Sequence, residues 1–214
     1  MFHLNAGNLF LQDVISLVAI LNPVAAAAVM ISLLPPETPK VITDGIALRT
    51  ARLVFVACIV TLFFGDLIFK IFGISVDSIK VIGGLVLLVL SLNMINGKLS
   101  IGTKHTAEEI SEAAEKEDIA IVPLGIPVLF GPGVIATVII LKERSASLLT
   151  LALLVCAVGV ASWITYVVLK NARILMRQLG ITGFKIITRI MGLIVGAIAS
   201  QFIISGVKVL WLKM

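Results

Sequence analysis

Charge is scarce in this chain. Asp, Glu, Lys and Arg make up 14% of its 214 residues, about half the share found in an ordinary soluble domain. Of its two cysteines, Cys58 and Cys156, each sits inside an apolar run with no partner indicated, and its two histidines, His3 and His105, lie outside those runs. Neither a disulfide framework nor a zinc or haem site is expected, and no other cofactor. The sequence holds no Walker-type phosphate loop, which argues against a built-in ATP engine. Met1-Phe2-His3-Leu4-Asn5 lacks the basic start of a signal peptide, and the run after it is too long for a signal core, so the first apolar segment is expected to stay in the membrane. A net charge of +5 does not indicate nucleic acid, because the 17 Lys and Arg are scattered among loops rather than gathered in a patch.

What the chain has in excess is apolar residues, 59% of the total, with a mean hydropathy of +1.16. That balance excludes a soluble domain and predicts an all-α integral membrane protein in contact with the lipid bilayer. Hydropathy gives six transmembrane helices: Leu9 to Leu34, Leu53 to Phe72, Val76 to Asn96, Ile119 to Leu141, Leu148 to Leu169 and Phe184 to Leu212. The loops are short except one, Gly97 to Asp118, which is rich in Glu and Lys and reads as a solvated linker. It divides the chain into a first three-helix repeat (1–96), the charged linker (97–118) and a second three-helix repeat (119–214). Eleven Lys and Arg fall on the side of the loops after spans one, three and five, against six on the other. The positive-inside rule then puts both termini outside the inner (plasma) membrane.

The first span is broken in its middle. Leu21-Asn22-Pro23-Val24 places a proline, which lacks an N–H, after an asparagine, a preferred N-cap. The dipeptide ends one half-helix and starts another. The fourth span has the same device: Phe130-Gly131-Pro132-Gly133-Val134 lies over Leu21-Asn22-Pro23-Val24-Ala25 at an offset of 109, bringing Pro132 onto Pro23. Gly73-Ile74-Ser75 matches Gly180-Ile181-Thr182 at 107, and Gly84-Leu85 matches Gly192-Leu193 at 108. With an odd number of spans in each half, the second repeat must be inverted relative to the first. The broken first and fourth helices then meet from opposite sides, each offering unpaired N–H groups and the positive end of a helix dipole, a site suited to a carboxylate.

Around that site the sequence offers few polar groups. The substrate-binding candidates are Asn22, Pro23, Val24, Gly131, Pro132, Gly133 and Thr137, together with Asn93 and Gln201, which occupy matching places in the third and sixth spans. The two amides either bind substrate or pin helices, and the hydroxyls of Thr137, Ser16 and Thr165 bond substrate or their own helix. Gly83-Gly84, Gly192 and Gly196 read as close helix contacts. Asp13 and Asp66 are the ion-coupling candidates, being the carboxylates inside apolar runs. Lys70, one turn from Asp66, is its expected partner. An enzyme using the two acids as a pair requires them to meet deep in the bundle, which nothing in their flanks favours.

The motifs Leu21-Asn22-Pro23, Phe72-Gly73-Ile74-Ser75, Ile82-Gly83-Gly84, Ile121-Val122-Pro123-Leu124-Gly125-Ile126-Pro127 and Gly131-Pro132-Gly133-Val134-Ile135-Ala136-Thr137 run in the order and spacing of one family over essentially the whole chain. The chain resembles the MarC family. The resemblance implies a six-span inner-membrane protein with inverted repeats, distantly related to LysE-type exporters, and a secondary transporter of small neutral amino acids such as glycine and alanine driven by a proton or sodium gradient. The alternative is a membrane scaffold or resistance-associated protein without transport activity. One departure stands out. The family usually follows Asn-Pro with a small residue, often Gly, whereas Val24 and four alanines stand here.

Overall fold

The computed structural model describes residues 6–35, 37–97, 119–145 and 147–212, and every regular element within them is helical. His3, His105 and the charged linker from residue 98 to 118 lie outside the described residues. The first crossing is α1 (Ala6–Leu21) followed by α2 (Pro23–Leu33), separated by Asn22 alone. Next come α3 (Lys40–Ile71) and α4 (Val76–Ile95), the latter capped by Ser75, whose Oγ accepts the Ser78 N–H at 3.1 Å. α3 starts well before Leu53, because hydropathy sees only the part in lipid and the helix continues into water through Lys40, Asp44, Arg49 and Arg52.

The fourth crossing is not one helix. A six-residue π-helical segment, Leu124–Leu129, is followed by α5 (Pro132–Arg144). α6 (Leu148–Lys170) opens with a capping box between Ser147 and Thr150. α7 (Ala172–Leu212) is interrupted at Gly180, whose φ of 59° and ψ of −178° belong to a region essentially reserved for glycine. Among the described residues five helical stretches are long and apolar enough to cross a membrane, the first being α1 and α2 together and the last Thr182–Leu212 of α7. The π-helical segment and α5 stand at the fourth of the six expected spans.

Corresponding helices of the two halves run antiparallel. Between α4 and α7, a Cβ on Gly192 would lie 2.9 Å from Met94 Cβ, one on Gly84 2.8 Å from the Ala199 carbonyl oxygen, and one on Gly206 2.7 Å from that of Asp77. Glycines let these two helices approach as closely as backbones allow. In a membrane that closeness matters, since lipid tails are as apolar as leucine and association rests on contact rather than on escape from water. α3 and α6 are antiparallel too, with Phe55 against Gly159. The exchange extends to the broken helices: α2 packs on α6 and α7, α5 on α3 and α4. Even the turns correspond, as Gly73 (φ 67°) follows α3 where Gly180 follows the first turns of α7. Leu17, Met30, Leu62, Leu87, Ile140 and Phe202 fill the centre.

Candidate functional site

The break in the first crossing is one residue wide. Asn22 adopts φ 45° and ψ 61°, a left-handed conformation that asparagine tolerates better than most residues. Its N–H still donates to the Val18 carbonyl at 3.0 Å and its carbonyl accepts from the Ala26 N–H at 3.2 Å. Its Oδ1 accepts from the Ala25 N–H at 3.3 Å, closing the cap. These bonds leave a defined gap in the ladder. The Ala19 carbonyl would have received an N–H from residue 23, which is proline, and the N–H of residue 25, due to Leu21, turns to the Asn22 side chain.

Beside the break lies a cavity of about 50 Å³, bordered by Asn22, Ala25, Leu90, Met94, Val128 and Thr188. It joins α1, α2, α4, the π segment and α7. Asn22 is 9% exposed, and among the described residues its Nδ2 has only a weak contact, to Met94 Sδ at 3.9 Å. Thr188 is 3% exposed, and its Oγ1 has no hydrogen-bond partner among the described residues. A buried hydroxyl left unpaired costs about 1–3 kcal/mol. Thr188 was not singled out from the sequence, since it adjoins Arg189 near the start of its span and reads as interfacial. Its signal was the stripe Thr188, Gly192, Gly196, four residues apart on the face that packs against α4.

The second break is built differently. The residue before a proline is held out of the helical region, and Ile126 accordingly sits at φ −128° and ψ 124°. Around it the bonds run five residues back: Gly125 N–H to Ala120 O at 3.1 Å, Ile126 N–H to Ile121 O at 2.8 Å, and Phe130 N–H to Gly125 O at 2.8 Å. Thr50 Oγ1 anchors this stretch to α3 by donating to the Ala120 carbonyl at 3.1 Å. Gly131, extended at φ −107°, caps α5, its carbonyl accepting from Val134 at 3.0 Å and Ile135 at 3.2 Å. Of this region only Val128 reaches the cavity.

The family model of MarC family integral membrane proteins matches residues 7–211. The chain belongs to the MarC family. A UPF0056 membrane protein of Aquifex aeolicus is 37% identical over 202 residues, 94% of each chain, and one of Escherichia coli K12, YhcE, is 35% identical over 91% of this chain and 89% of its own. A third, from Bacillus subtilis, is 32% identical over 91% of this chain and 92% of its own. No solved structure matches.

In this MarC protein the remaining candidates fall into three groups. Pro23 and Val24 adjoin Asn22 in sequence without bordering the cavity, and Gly131, Pro132 and Gly133 do not border it either, Pro132 being exposed and Gly133 packing on Leu87. Thr137 and Thr165 donate to carbonyls one turn back, Gly133 at 2.7 Å and Ala161 at 2.9 Å, and so bond their own helices. Asn93 is half-buried next to Met94 but does not border the cavity, and Gln201 is exposed.

The two acids lie elsewhere, around the C-terminal end of α5, where Lys142, Glu143 and Arg144 fan out to different helices. Lys142 pairs with Asp66 of α3 at 2.8 Å. This corrects the expected pairing with Lys70, which is exposed while Asp66 faces α5. Glu143 reaches Lys80 of α4 at 2.6 Å, and Lys80 also holds Asp77 at 3.0 Å. The Arg144 guanidinium lies 5.7 Å from the centroid of the Phe202 ring of α7. It also shares with Asp13, Gln12, Ser145 and Thr150 a cavity of about 30 Å³ at α1 and α6.

Proposed function

We propose that this MarC protein is a secondary transporter of small neutral amino acids, glycine, alanine or similar, coupled to protons or sodium, and that it works as an exporter in the inner (plasma) membrane with both termini outside. The observation that carries the reading is the cavity at Asn22, where the carboxamide, the unpartnered Thr188 hydroxyl and the start of a half-helix converge within apolar walls. At about 50 Å³ it suits a solute of a few heavy atoms. The Asn22 Nδ2, with the positive end of the α2 dipole behind it, takes the carboxylate, while the Leu21 carbonyl, without its helical donor, and Thr188 receive the ammonium. The halves 1–96 and 119–214 then rock about the site for alternating access. Asp13 is the better coupling candidate of the two acids, since it faces a cavity while Asp66 is held by Lys142.

Uptake of radiolabelled glycine and alanine into proteoliposomes, with imposed proton and sodium gradients, tests this. Saturable, gradient-dependent flux supports transport. Absence of flux for every small neutral amino acid under both gradients removes the substrate claim and favours a scaffold or resistance-associated role.

A further inference from the structure

Between α3 and α6, on the outer face of the bundle, runs a groove of about 400 Å³ that the transport site does not use. Its borders change character along its length. At one end stand Phe55, Val56 and Gly159, and at the other Arg52, Trp163 and Tyr166. The antiparallel contact of Phe55 with Gly159 puts Arg52 level with Ser162, and puts Tyr166 and Lys170 one and two turns nearer the solvated start of α3. Lys170 Nζ lies 5.4 Å from the centroid of the Tyr166 ring. Arg52 is exposed and has no ion pair among the described residues. Trp163, 64% exposed, and Tyr166 mark the membrane–water interface, where such rings settle. Ser162, only 6% exposed, borders the groove with an Oγ that has no hydrogen-bond partner.

We infer that this groove binds an anionic glycerophospholipid. The order of groups along it matches the order along such a lipid. The Arg52 guanidinium and the Lys170 ammonium hold the phosphate, the Ser162 hydroxyl donates to an ester carbonyl just below it, and one acyl chain lies along Phe55, Val56 and Gly159. A second copy of this chain fits the groove less well, because a two-fold interface there would bring two Arg52 side chains together, the nearest carboxylate on that face of α3, Asp44, lying two turns away. The assignment does not depend on what the protein transports.

The test uses the full chain carrying Trp211→Phe, so that Trp163 is its single tryptophan, in vesicles of phosphatidylcholine and phosphatidylglycerol with one or the other brominated on its acyl chains. Brominated phosphatidylglycerol is expected to quench Trp163 beyond its mole fraction, with a preference over phosphatidylcholine that Arg52→Gln lowers about fivefold. Gly159→Leu, which fills the groove with Arg52 intact, is expected to abolish the preference, and should Arg52→Gln fail to fold, Ser162→Ala and Gly159→Leu carry the test. Quenching in proportion to mole fraction in the wild type overturns the assignment. So does protection from both lipids, the result expected of a groove covered by a second copy.

Discussion

The first crossing breaks at a single left-handed residue, whereas the fourth breaks over a π-helical turn and an extended glycine. Both restart with proline at the first helical position, and both restarted helices pack on the opposite half. What differs is the use of the gap. Asn22 fills its own, with one side-chain atom capping α2 and another turned towards the cavity. Gly131 has no side chain to offer, and Gly133 lets α5 close down on Leu87 of α4. One break offers polar atoms to a cavity and the other packs. Two corresponding breaks are thus built as a polar half and a steric one, and on the proposed reading a carboxylate would meet donors at one of them rather than at both.

The largest expected effect comes from erasing the polar break. Asn22→Ala removes the cap and leaves an alanine at positive φ, costing about 2 kcal/mol of stability, and lowers glycine uptake in proteoliposomes about a hundredfold by deleting a hydrogen bond to a charged carboxylate. Asn22→Gly sharpens the point. Glycine accepts the backbone conformation and costs only a few tenths of a kcal/mol, so a well-folded variant, judged by thermal melting in detergent, that still fails to transport assigns the loss to the carboxamide.

On the packing side, Gly83→Ala would set one methyl group directly against that of Ala136 on α5, where neither has a flexible end to yield. We expect a loss of about 2 kcal/mol in thermal melting, recovered when Ala136→Gly is added. Gly133→Ala meets only the movable end of Leu87, at 2.7 Å, and should cost less, about 1 kcal/mol. If Gly133→Ala abolishes transport as fully as Asn22→Ala while remaining folded, the contrast between the two breaks fails.

Thr188→Val separates recognition from stability. Because the hydroxyl is unpaired, removing it should leave melting unchanged or raise it slightly, while the apparent affinity for glycine falls about tenfold. A smaller effect still is expected for Asp66→Asn: its pair with Lys142 is about a quarter exposed on each side, so we expect below about 1 kcal/mol, measurable as a melting shift that shrinks in high salt.

How much of this could be read beforehand depended on range. The break at Asn22 and the glycines of the α4–α7 contact were legible because each is a local rule: a proline in an apolar run, small residues four apart. The π-helical segment was hidden because hydropathy over Ile119 to Leu141 averages two proline-driven distortions into one apolar run. Asp66 was assigned to Lys70 from spacing along one helix, yet which face of α3 points inward is set by α5, more than seventy residues later in the chain. Thr188 escaped for the same reason. Nothing near it in sequence says that a cavity in the first crossing will open beside it.

α3 draws a further consequence from its length. Its 32 residues extend roughly 48 Å, against a hydrocarbon layer of about 30 Å. The apolar part from Leu53 onward is long enough to fill that layer, so the turns from Lys40 on extend past it, packed through Thr43, Ala47 and Thr50 against the rest of the bundle. The membrane surface is therefore not the protein's edge on that side. Through Thr50, whose hydroxyl donates to the Ala120 carbonyl, those turns reach the stretch that leads into the packed break.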